Sequence, residues 1–252
     1  MSKTKKIILI IVGIILFLAI AAWILVPRIL VLIGVKSIDM IEEIPVSTIS
    51  AETIANADMG ETQRIETEGI SLEIPEDLKR EKHDLDALVY RSPVENEDET
   101  PEHSILVMGA SDMHEVSFTQ SEAMETPMLV KLELKKVIKG FEAMGMPVPD
   151  SAYNTFKMAY TLTEDNYSFW NLNQGVAYFA GSALQEAVMI YDRVELFETE
   201  DLCGFINCSE KKSQYILQIF SKDDLNTVYD VVIRSEDPDL VYAVLDSVEI
   251  VK

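Results

Sequence analysis

The chain has 252 residues, 43 acidic against 21 basic, a formal net charge of −22 and only two cysteines. All the acidic residues lie beyond position 36, whereas Lys3, Lys5, Lys6, Arg28 and Lys36 lie at or before it, so the remainder carries −27. A surface that negative repels phosphate backbones and anionic headgroups, which excludes nucleic acid as a partner and admits cations or a protein with a basic surface.

Residues 1–6 read as a cytoplasmic tail and residues 7–26, Ile7 to Val26, as one transmembrane helix. Twenty uncharged, mostly apolar residues at about 1.5 Å each match a hydrocarbon core roughly 30 Å thick. The lysines before the span hold the N-terminus in the cytoplasm and send the rest across, so the expected location is a single-pass cell-membrane protein with an extracytoplasmic C-terminal domain. A signal peptide cleaved after Ala21 is the alternative, since Ala19-Ile20-Ala21 fits a small-x-small site. Apolar residues continue through Trp23–Val26 and resume at Ile29–Val35, which favours the anchor; no cysteine directly follows the span, so a bacterial lipoprotein is excluded. Residues 29–35 are too few to span again and are expected along the outer interface, with Trp23 and Arg28 at headgroup depth.

Residues 27–66 read as a juxtamembrane segment and polar stalk, with a short helix near Ala51–Ala57. A single extracytoplasmic α+β domain is expected over residues 67–252. Its first strands are Gly69–Pro75, which alternates apolar and polar residues, then Ala87–Arg91 and Ser104–Gly109. Between the last two, residues 95–102 form an acidic loop without calcium-loop spacing. Thr126 and Pro127 cap a helix whose apolar stripe runs through Val130, Leu134, Val137, Ile138, Phe141 and Met144, stopped by Gly145 and Pro147. Ser151–Thr161 and Leu172–Met189 repeat helical spacing. Four strand-length runs follow, Arg193–Glu198, Leu202–Ser209, Gln214–Ser221 and Thr227–Arg234, and then a helix from Asp239 to Leu245 started by Asp237-Pro238. Val248–Val251 ends the pattern. Strands, helices and strands again make an α+β fold, a mostly antiparallel sheet covered by helices.

No residue pattern stands out as catalytic, cofactor-binding or metal-binding. Cys203 and Cys208 are five apart, which on a strand places them on opposite faces and favours two thiols over a disulfide. His83, His103 and His114 lie far from them, so no zinc set forms. Asp112 with Glu115, or Glu200 with Asp201, offers carboxylate pairs for a hydrolase, although 43 acids make such pairs common. Ser111 and Ser182 lack the flanking glycines of a nucleophile elbow. Tyr153, Phe156 and Tyr160 read as core, with a pocket lined by Tyr153, Tyr160 and Trp170 as the alternative. Asn166-Tyr-Ser168 and Asn207-Cys-Ser209 match glycosylation acceptors.

Gly69, Ser71, Glu73 and Pro75 at the start, with Val228–Arg234 and Tyr242–Val248 at the end, resemble the PsbP-like superfamily over about residues 64–252. The resemblance implies an α/β/α sandwich around an antiparallel sheet, and a non-catalytic binding or assembly role at an extracytoplasmic membrane face. The plant members are photosystem subunits without a retained anchor; nothing in this chain indicates a photosynthetic partner, and no functional residue carries over. The expected function is therefore a membrane-anchored binding or assembly module, with an extracytoplasmic hydrolase using acidic residues as the alternative.

Overall fold

The computed structural model describes residues 25–30, 33, 45–67, 69–82, 87–94, 100–113, 128–168, 170–188 and 191–251. The predicted span therefore lies outside the described residues except for Leu25 and Val26, as do Thr126, Pro127, Glu115, His83, His114 and residues 95–99. Among the described residues no helix is long and apolar enough to cross a membrane. The elements in chain order are helix α1 (residues 25–30), β1 (Val46–Ile49), α2 (Ala51–Ala55), β2 (Thr62–Thr67), β3 (Ile70–Pro75), β4 (Lys79–Glu81), β5 (Ala87–Arg91), β6 (Ser104–Asp112), α3 (Met128–Met144), α4 (Ala152–Thr161), α5 (Leu172–Val188), β7 (Arg193–Glu198), β8 (Leu202–Ser209), β9 (Gln214–Ser221), β10 (Asp224–Arg234), α6 (Pro238–Asp246) and β11 (Glu249–Ile250). The fold is α+β, with sheets covered by helices. It divides into two compact units, a helical one (residues 1–41, 126–148 and 161–187) and a sheet one (residues 42–125, 149–160 and 188–252).

The sheet unit is built on eight strands in the order β1-β7-β8-β9-β10-β6-β5-β4, with a second sheet ordered β11-β3-β2. Every pairing is antiparallel except β1 with β7. The strands β7, β8 and β9 fall at the residues where alternation and polar turns place them. Ser213 closes the β8–β9 turn at φ 46°, the left-handed region. On one face of the large sheet, Ile206, Leu217, Ile219, Val231 and Ile233 form one core with Leu72 and Ile74 of β3 and with Val241, Val244 and Leu245 of α6. Asp237 caps α6 by accepting from the Asp239 N–H at 3.0 Å, and Pro238 occupies the first turn, where its missing N–H costs nothing.

Of the segment read as a stalk, residues 46–66 are folded: β1 pairs with β7, β2 pairs with β3, and Ile54 of α2 is fully buried in the core. Ser50 caps α2 through the Thr53 N–H at 3.1 Å. The polarity that suggested a stalk belongs to edge strands, whose outer side chains face water. On the same sheet face Glu195, buried to 4% exposure, is ion-paired to Arg193 and accepts from Tyr242 Oη at 3.1 Å, tying α6 to β7.

In the helical unit, α3 and α5 approach closely at Gly140. A Cβ at that position would overlap the Asn173 carbonyl oxygen and the Ala177 methyl, so only glycine fits. Gly145, at φ 69°, ends α3 with the Met146 N–H bonded to the Phe141 carbonyl at 3.0 Å, the bond pattern of a Schellman turn. Gln174 Nε2 donates to the Ala143 carbonyl at 2.9 Å, satisfying another terminal acceptor of α3. Tyr167 stacks on Tyr178 with centroids 4.5 Å apart.

Candidate binding face

The second face of the eight-stranded sheet carries α4. Tyr153 stacks on Phe205 with centroids 5.3 Å apart, and Tyr160 meets the same ring edge-on at 5.0 Å. Alternation puts Cys203, Phe205 and Asn207 of β8 on this face, and the strand register sets out its rows. Val194, Asn207, Ile216, Val232, Leu106 and Val89 stand directly opposite one another across six strands. In the next row Gln218 faces Asp230. Ile216, Val232 and Leu106 are half-buried, whereas Asn207 is wholly buried. Three polar side chains on three neighbouring strands thus interrupt an apolar surface.

Asn207 Nδ2 donates to Gln218 Oε1 at 3.0 Å, Tyr160 Oη donates to the same oxygen at 3.4 Å, and Gln218 stands opposite Asp230 in the register. Among the described residues no donor reaches Asn207 Oδ1 or Asp230 Oδ1, both of which are buried. Burial pushes the Asp230 carboxyl up to about 6, against the opposing pull of Gln218. Burial, then the nearby Asp230 charge, raises the Tyr191 phenol, and burial likewise raises Tyr160. The arrangement can accept hydrogen bonds and hold a positive charge beside an apolar strip.

Tyr153, Phe156 and Tyr160 belong to α4 and are buried as core, and Trp170, in the helical unit, is exposed. Tyr153 Oη at 3.3 Å and Lys157 Nζ at 3.0 Å bond Glu198, and the Lys157 bond holds that carboxyl below its usual range. Glu200 and Asp201 line an open cleft of about 670 Å³ with Lys222 and Glu249. Asp112 ends β6, exposed, and its pairing with Glu115 lies outside the described residues. Ser182 sits inside α5 and donates back to the Tyr178 carbonyl at 2.8 Å; Ser111 is on β6 opposite Val228. Neither occupies a strand-to-helix turn. Cys203 and Cys208 are free and buried, and burial pushes each thiol up to about 11.

Other groupings were not legible beforehand. His103 Nδ1 lies 3.0 Å from Ser235 Oγ in a second cleft of about 670 Å³, with Glu102 3.8 Å from Nε2. Ser235 is 1% exposed and already accepts from the Asp237 N–H at 2.9 Å, which makes it a corner brace of the chain and not a nucleophile. Among the described residues no group of three or more His, Cys, Asp or Glu side chains is placed to hold a metal. The polar row was also missed, because only the register brings Asn207, Gln218 and Asp230 together. The chain matches no protein-family model and no curated protein.

Proposed function

We propose that this chain is a membrane-anchored, extracytoplasmic binding or assembly module, not an enzyme, and that the sheet face around Asp230 takes its ligand. The observation that carries the reading is the pair of buried acceptors, Asn207 Oδ1 and Asp230 Oδ1, for which no donor stands among the described residues. Leaving such an atom unpaired costs about 1–3 kcal/mol, which a ligand bringing its own donors recovers. Ile216, Val232 and Leu106 offer half-buried apolar area beside them. An ammonium group on a short apolar body suits that combination, and the acidic charge of the sheet unit draws cations toward it. The apolar run from Ile7 and the lysines before it support the anchor and the orientation. Kinship with the PsbP-like superfamily belongs to the same proposal, supported by the strand into Pro75 and by the closing strand and helix.

The test is thermal unfolding of the full chain in lipid nanodiscs with hexylammonium and with hexanoate. Hexylammonium is expected to stabilise, by about 2.7 kcal/mol at a hundredfold excess over Kd, and the effect is lost in Asp230→Asn. Equal stabilisation by hexanoate, or none by either, overturns the assignment. One observation favours the hydrolase reading: a carboxyl titrating near 6 suits general acid–base chemistry. Hydrolysis of any substrate by the wild type and not by Asp230→Asn would establish it instead.

A further inference from the structure

Charge is segregated between the two units. The helical unit holds nine basic and six acidic residues; three of the basic ones are the lysines before the span, so its remainder is neutral, against −25 on the sheet unit. Within the helical unit residues 166–185 form a stretch of twenty without a charged side chain, in a chain where a quarter of all residues are charged. Seven of the ten large apolar side chains exposed among the described residues also belong to this unit. Five of the seven are Leu25 and Val26 at the end of the predicted span and Ile29, Leu30 and Ile33 beyond it, and Trp170 is the most open, at 69%. Arg28 joins the two regions: its Nε and Nη2 donate to the Trp170 carbonyl at 3.3 and 3.1 Å.

Arg28 lies two residues past the end of the span, about 3 Å along a helix, and the hydrogen bonds bring the Trp170 backbone to the same depth. That is the depth of lipid headgroups, where an indole keeps its ring among upper acyl carbons and its N–H in the wet layer. We infer that the helical unit docks on the outer leaflet, with the Trp170 ring inserted at the headgroup layer and Arg28 positioning it. This rests on the anchor half of the proposed function.

The chain has two tryptophans, Trp23 and Trp170, so single substitutions separate them. The full-length Trp23→Phe and Trp170→Phe proteins are placed in phosphatidylcholine vesicles whose lipids are brominated near the top of the acyl chains. Docking predicts that Trp170, read in Trp23→Phe, loses most of its fluorescence, and that adding Arg28→Ala restores it. Trp23, read in Trp170→Phe, is quenched if the anchor is embedded. A quenched Trp23 with an unquenched Trp170 overturns the docking and leaves the anchor standing. Neither residue quenched, with the protein removed by a carbonate wash, overturns both. An unquenched Trp170 that photo-crosslinks to another copy of the chain assigns the surface to self-association and overturns lipid docking. Unchanged quenching of Trp170 in the Arg28→Ala protein removes Arg28 from the proposal.

Discussion

Asp230 is a carboxyl whose burial alters its behaviour. Its folded pKa of about 6 stands above the unfolded value of about 3.9, so its contribution to stability is full below about pH 4 and is lost as pH rises through 6. Asp230→Asn is therefore expected to flatten the stability profile between pH 4 and 6, and to gain about 1–3 kcal/mol at neutral pH, a figure lowered for the side chain's partial exposure. Urea melts across that pH range check it; a profile unchanged from wild type refutes the assignment. Phe205 is the hub of the aromatic cluster, in ring contact with Tyr153, Phe156, Tyr160 and Phe220. Phe205→Ala leaves a cavity at a fully buried position and should cost about 3–5 kcal/mol, read from the shift in urea midpoint. At this scale the sequence spoke through spacing: five residues apart put Cys203 and Cys208 on opposite faces. It was silent about Asn207, whose acceptor motif looks like a glycosylation site yet is wholly enclosed in the sheet. Enclosure is a property of neighbouring strands and leaves no mark on a tripeptide.

Among elements, those governed by local chemistry were legible and those governed by distant partners were not. The runs β7, β8 and β9 and the helix α6 follow from alternation, polar turns and the Asp237-Pro238 cap. By contrast β1 is an exposed edge that exists through its parallel pairing with β7, almost 150 residues later, and β4 is Lys-Arg-Glu, all exposed. Neither has an apolar period to read. The helices α3 and α5 show the same limit, since an amphipathic stripe announces a buried face without naming what buries it; they lie in the helical unit and not in the sheet unit. Their contact depends on Gly140. Gly140→Ala improves intrinsic helix propensity, yet the overlap with Asn173 and Ala177 is expected to dominate and destabilise the pair by about 1–3 kcal/mol. Faster limited proteolysis within residues 126–187 is the readout, and unaltered protection would contradict the packing.

For the whole molecule, orientation decides the proposed role. A protease added to intact cells or spheroplasts is expected to degrade the sheet unit, and a tag on the C-terminus to report an extracytoplasmic position; protection and a cytosolic report would both contradict the topology. A chain begun at residue 42, the obvious way to obtain the domain without its apolar run, would also remove α1 and the Arg28–Trp170 bonds from the helical unit. Such a chain should unfold at lower urea concentration than the intact protein in nanodiscs. The two units alternate along the sequence, the path passing from one to the other five times. On a ribosome that alternation becomes a delay. Residues 1–41 emerge first, but their helical companions are complete only at residue 187, so at about 5–20 residues per second the first segment waits roughly 7–30 s. With the proposed anchor, attachment would precede assembly, and a growing copy would be tethered before it has anything to assemble with.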